Sequence, residues 1–164
     1  MAYTVATLAG GQPIANTETT QKHPLGTIVR GVDPTYGEGE FIYLLGVAST
    51  AVGSVVTYDL STRQTVLSAV GGNIARPVAI AMSANVAGQY GWYQISGIAV
   101  VKKTCTISLA AGAAVGVLTT GLIAGTGSGK EISGAAVAAV ASATAGRTTV
   151  LVSVDRPRKQ GRVS

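Results

Sequence analysis

The chain has 164 residues, 22 of them glycine, with 47% hydrophobic residues, 12% charged residues and a formal net charge of +5. That length supports one compact domain burying roughly 70% of its unfolded surface, and the composition excludes a disordered chain, which needs low hydrophobicity and high net charge. Four of the twelve basic residues lie in Arg156-Pro157-Arg158-Lys159-Gln160-Gly161-Arg162, leaving eight basic and seven acidic groups elsewhere, so the body lacks the basic face of a nucleic-acid binder.

Residues 1–25 mix Thr, Gln, Asn and Gly and end at His23-Pro24. They show neither helical nor long alternating periodicity, which predicts an extended arm that orders against a partner. Gly26 to Arg30 reads as a short strand, and Asp33-Pro34-Thr35-Tyr36-Gly37-Glu38-Gly39-Glu40 as a turn or loop. Phe41 to Leu45 carries large groups on both faces, as a doubly buried strand does. Val55 to Tyr58, the polar turn Asp59 to Arg63 and the return run Thr65 to Leu67 form a predicted hairpin. Val78, Ile80 and Met82 alternate with Ala79 and Ala81, giving a strand with one large and one small face. Tyr90–Ile95 and Ile98–Val101 read as one long strand with a bend or bulge at Ser96-Gly97.

Thr104 to Gly129 runs without a charge, but its glycines, threonines and serines favour strands and turns over a membrane-spanning helix. The Ala-rich run Gly134 to Ala145 is open between helix and strand by propensity; its match to the segment near Val78 favours strand. Thr148 to Val154 places Val150, Val152 and Val154 on one face. The elements predict an all-β fold, a compact β-sandwich or barrel of jelly-roll-like form. The expected organisation is an arm over 1–25, a single β domain over 26–155 and a basic tail over 156–164.

An internal echo runs through this pattern. Val52-Gly53-Ser54-Val55-Val56, Ile74 to Ala79, Ala87-Gly88 and Trp92 to Ile95 recur as Ala111-Gly112-Ala113-Ala114-Val115, Ile132 to Val137, Ala145-Gly146 and Val150 to Val154. The shift is 59 residues at Gly53 and 58 at Ile74 and Gly88. No acid, base or metal ligand recurs with it, so the repeat concerns strands and turns, and two copies are too few for a solenoid.

Chemistry-bearing motifs fail on spacing. Gly125-Thr126-Gly127-Ser128-Gly129-Lys130-Glu131 lacks the leading glycine and the trailing Ser or Thr of a phosphate loop, and reads as a hairpin loop. His23 has no nucleophile or acidic orienter at a telling distance, so it reads as a solvated or interface residue. Asp33, Glu38 and Glu40 do not follow the calcium-loop order. Tyr90, Trp92 and Tyr93 could stack on sugars or bases but have no basic residue among them, so core or subunit-interface packing is the stronger reading. Cys105 is alone, which excludes an intrachain disulfide and reads as a buried small hydrophobe. The first residues lack a secretory signal pattern. No catalytic, cofactor or metal residue is assigned.

Gly26-Thr27-Ile28-Val29, the Gly53-Ser54-Val55-Val56 step, Pro77 to Ala81, the Leu109 to Val115 step and Gly134-Ala135-Ala136-Val137, Ala145-Gly146 and Val150-Leu151-Val152 resemble small capsid decoration, or cement, proteins of tailed bacteriophages. The likeness spans residues 26 to 155 and excludes the arm and the tail. It implies a noncatalytic virion protein without cofactor, bound to the outer capsid surface after synthesis in the bacterial host cytoplasm. Its implied partners are the major capsid protein and itself, as a homodimer or homotrimer, with no direct nucleic acid and no membrane. The alternative is a surface carbohydrate- or receptor-binding β module using Tyr90, Trp92 and Tyr93.

Overall fold

A computed structural model describes residues 4–5, 12–70, 74–104, 106, 108–127, 130–139 and 146–161. Every element among the described residues is a strand: β1 Thr4–Val5, β2 Thr17–Glu18, β3 Ile28–Asp33, β4 Gly37–Leu45, β5 Val55–Tyr58, β6 Thr65–Leu67, β7 Val78–Ala81, β8 Tyr90–Lys102, β9 Ala114–Thr119, β10 Leu122–Gly125, β11 Glu131–Val137 and β12 Thr149–Lys159. All strand pairings are antiparallel within one curled sheet, the all-β class expected. The β5–β6 hairpin and the long β8 lie where the alternation placed them. The bend in β8 is a bulge: Glu40 pairs with Ser96 and Phe41 with Gln94, leaving Ile95 extra. Gly97 sits beside it at φ 98, where a Cβ would collide with the Glu38 carbonyl oxygen. The run from Gly134 is strand through Val137; residues 140–145 lie outside the described residues.

The echo is a repeated topology. Strands β4 to β8 are ordered β4-β8-β7-β5-β6, and β8 to β12 repeat this as β8-β12-β11-β9-β10, with β8 shared. In each unit the ends meet through one isolated parallel bridge, Leu45 with Gln64 and Lys103 with Ile123. The turns at the echoed glycines match as well. Ser54 N donates to Ala51 O at 2.9 Å and Ala113 N to Ala110 O at 3.1 Å, while Gly53 N donates to Ala81 O and Gly112 N to Val137 O, both at 2.8 Å. Both glycines hold positive φ, 80 and 74, a conformation that glycine adopts without penalty.

These hydrogen bonds correct one detail of the echo. They match Val137 to Ala81, whereas sequence similarity pairs it with Ala79. A two-residue slip keeps every side chain on its face, so an Ala/Val-rich strand does not reveal it.

Each unit closes on its own core. Ile42, Leu44, Val56, Tyr58, Ala79, Ala81, Tyr93 and Ile95 fill the first. The second holds the equivalents Val101, Val115, Val117, Val137, Val152 and Val154, together with Val55, Val78 and Ile80. The two faces of β7 therefore serve different cores, large residues toward the second and alanines toward the first, which is why this strand alternates in size yet is buried throughout. A third cluster of Ile14, Val29, Phe41, Tyr43 and Trp92 lies on the far side of β4 and β8.

Both chain ends depart from expectation. In the arm, Ile14 is buried in this third cluster, Thr17 and Glu18 pair with Gly91 and Tyr90, and Thr4 and Val5 pair with β3, so its described parts order on the chain's own body. The basic segment beyond residue 155 continues β12 to Lys159, pairing Arg158 with Ser133 and Lys159 with Ile132. Lys159 is only 3% exposed, and its Nζ donates to Ala69 O at 2.6 Å. The apolar lysine stem buries while its ammonium reaches a carbonyl, so a charge-rich composition concealed an inward-facing position. Burial lowers the Lys159 pKa.

Candidate functional site

Among the described residues, an apolar groove on the sheet surface has Arg156 and Arg158 in its lining. Its volume is about 190 Å³, and its floor is built by Tyr58 of β5, Pro77 and Val78 at the start of β7, and Ile95 of β8. Ile28 and Leu60 stand at the rim, 44% and 57% exposed, beside Arg156, Pro157 and Arg158. A volume this small lies below the range of about 300–1,000 Å³ typical of small-molecule pockets. The arrangement suits an extended segment laid across a surface better than an enclosed metabolite.

The local backbone is unusual where the arginines enter. Only three described non-glycine residues have positive φ, and two are Arg63 at 58 and Arg156 at 43. Arg63 ends the turn in which Asp59 Oδ1 accepts from Ser61 N at 2.8 Å and Thr62 N at 3.0 Å, and its own N donates to Asp59 O at 3.0 Å. Those amide hydrogen bonds lower the Asp59 pKa. Such a turn-ending position favours glycine or asparagine. Arg156 lies in a bulge of β12 where Asp155, Arg156 and Pro157 oppose Gly134 alone. A residue before proline is pushed toward extended backbone, and left-handed non-glycine conformations cost about 1–3 kcal/mol each. Gly134 makes room for the bulge, since a Cβ there would lie 2.6 Å from Asp155 O.

Charge is partly matched inside the site. Glu40 accepts from Arg156 at 2.6 Å and from Arg30 at 3.3 Å, and Arg76 lies 3.6 Å from Asp59. Arg63 and Arg158 form no ion pair with a described carboxylate. Burial raises the pKa of Tyr58 at the groove floor, while Arg63, Arg156 and Arg158 pull it down. Arg156 and Arg158 line the same groove as this phenol.

Residues singled out from sequence lie elsewhere, Glu40 apart. Trp92 and Tyr93 are 1% and 0% exposed, and Tyr90 stacks on Tyr43 at 6.3 Å, so these aromatics pack the interior and form no exposed platform. His23 is half-buried, with its ring 5.2 Å from both Tyr43 and Trp92. Asp33 is buried and its Oδ1 accepts from Thr35 N at 2.8 Å and Tyr36 N at 3.0 Å, closing its own turn. Among the described residues no group of three or more His, Cys, Asp or Glu could hold a metal ion. In the loop after Gly125, Lys130 N donates to Gly127 O at 3.0 Å; Ser128, Gly129 and Cys105 lie outside the described residues. No described helix is long and apolar enough to cross a membrane.

The groove was not legible from sequence because its walls come from β3, the β5–β6 turn, β7, β8 and β12. The signal that could have pointed to it is an arginine where the Asp59 turn calls for glycine, together with Arg156 before Pro157.

No protein-family model matches the chain, and neither a curated protein nor a solved structure matches it significantly.

Proposed function

We propose that this chain is a noncatalytic structural subunit of a virus particle, a decoration or cement protein on the outer face of the major capsid shell. The observation that carries the reading is the tandem β unit: two cores built on one repeated topology, joined through β8, make a continuous β body whose apolar groove opens at the surface. The resemblance in the Gly53, Pro77 and Leu109 segments supports it. A β body that binds only the assembled lattice adds its binding free energy to each bridged contact, stabilising the shell by mass action. The partners are the major capsid protein and further copies of this chain, as a homodimer or homotrimer. The location is the outer capsid surface, after assembly from the bacterial host cytoplasm.

Purified particles test this directly. They are expected to contain the protein in many copies and to lose thermal and mechanical stability when it is stripped. Particles of unchanged stability without it overturn the proposal. The alternative carbohydrate- or receptor-binding reading relied on Tyr90, Trp92 and Tyr93, and the burial of Trp92 and Tyr93 removes its stacking surface.

A further inference from the structure

We propose that the groove between Ile28 and Leu60 docks an extended acidic peptide segment of the partner, with one aliphatic side chain in the groove and carboxylates on Arg158 and Arg63. On the reading above, which this inference rests on, that segment belongs to the capsid protein.

Three independent features converge here. The floor is aliphatic and aromatic carbon, and both rim aliphatics are substantially exposed, a hydrophobic surface that no described residue covers. Arg158 in its lining, which donates to Ala75 O at 3.4 Å, and Arg63 at the end of the turn that supplies Leu60 pair with no described carboxylate, whereas Glu40 and Asp59 hold Arg30, Arg156 and Arg76. Arg63 emerges from left-handed backbone that arginine does not favour, and strain of this kind persists where the surroundings fix a side chain for a task.

The chemistry favours a peptide over a nucleic acid. Guanidiniums pair with carboxylates in bidentate geometry, and the narrow apolar floor suits an aliphatic side chain. Stacked bases require exposed aromatics, and the groove's only aromatic, Tyr58, is 7% exposed.

The test uses the full chain and a fluorescein-labelled peptide, Asp-Glu-Leu-Asp-Glu-Val-Asp, with its Asn/Gln counterpart and oligo-dT as competitors. Anisotropy is expected to show salt-sensitive binding of the acidic peptide that the amide counterpart does not match. Arg158→Glu and Leu60→Ser are each expected to weaken it at least tenfold, and Leu118→Ser, an exposed position outside the groove's lining, to leave it unchanged. Arg63→Gly separates function from folding: it is expected to weaken the peptide while leaving Tm equal to or above that of the parent, because glycine relieves the left-handed strain. Equal binding of the amide peptide, unchanged binding by Arg158→Glu and Arg63→Gly, or oligo-dT displacing the peptide would each overturn the inference. A second arm measures attachment to particles stripped of the protein. Parent protein that binds the peptide but not particles overturns the capsid reading and leaves the docking chemistry standing. Particle attachment that survives Arg158→Glu places attachment on another face and overturns the groove's assignment to the capsid.

Discussion

Arg156 donates to Glu40 at 2.6 Å across 116 positions of sequence, joining the bulge of β12 to β4 beside the break in the β4–β8 register. Glu40 also holds Arg30, so one carboxylate ties β3, β4 and β12 together at the groove's edge. The arginine side chains are 74% and 61% exposed, which limits the energetic value of these pairs. Glu40→Gln is therefore expected to cost about 1 kcal/mol at low salt, seen as a Tm lowered by roughly 2–4 °C. The difference should shrink at high salt as screening replaces the pairs. A salt-independent loss would assign the effect to packing.

The basic segment after residue 155 is structural. A chain ending at Asp155 loses the buried Pro157 and Lys159 and the pairs of Arg158 and Lys159 with β11. Losing the apolar area of Pro157 and the Lys159 stem together with this pairing removes packing and ladder bonds at once, so the truncated chain should unfold at clearly lower urea concentration. An unchanged urea midpoint would show that the segment is a loose tail after all.

How much of this was legible follows from what each residue type signals. Val150, Val152 and Val154 give their strand and its buried face by period-2 alternation, and Asp59 gives the β5–β6 turn by its side chain. The echo revealed a real duplication because its glycines mark positive-φ turns, which few other residues tolerate. It could not give the two-residue slip between Ala79 and Ala81, since either register buries the same face. Lys159 falls into the basic tail by composition because a lysine's stem and head have opposite preferences. Leu60 and Arg156 were invisible as neighbours in one groove because closeness between the β5–β6 turn and β12 is set by sheet order.

The duplication makes a paired prediction at Gly53 and Gly112. Both sit at positive φ, so alanine at either is expected to cost about 1–2 kcal/mol from the left-handed conformation. Around Gly112 nothing lies within 4 Å of an added Cβ, while at Gly53 it would come 2.9 Å from Val100 O and 3.2 Å from Lys102 N. Gly53 O also accepts from Lys102 N at 2.8 Å. Gly53→Ala should therefore destabilise more than Gly112→Ala in urea denaturation. Equal losses would mean that β8 moves freely away from the Gly53 turn.

The alkaline limit of stability is set by buried phenols. Burial raises the pKa values of Tyr43, Tyr58 and Tyr93 above 10.0. Above pH 10 the unfolded chain loses these protons first, the native state then holds more, and stability falls as pH rises. Lys159 acts in the opposite direction: its lowered pKa leaves the unfolded chain with more protons in the window just below 10.5, so stability gains with pH there. The urea midpoint should consequently change little approaching pH 10 and drop beyond it. Tyr93 is the most informative of the three, since its hydroxyl accepts from Asn85 Nδ2 at 3.0 Å in the first core. Tyr93→Phe should cost about 1–3 kcal/mol at neutral pH by leaving the Asn85 amide without that acceptor, yet make the alkaline decline shallower. A decline equally steep in Tyr93→Phe would assign it to Tyr43 and Tyr58, and a decline beginning well below pH 10 would assign it to groups other than these phenols.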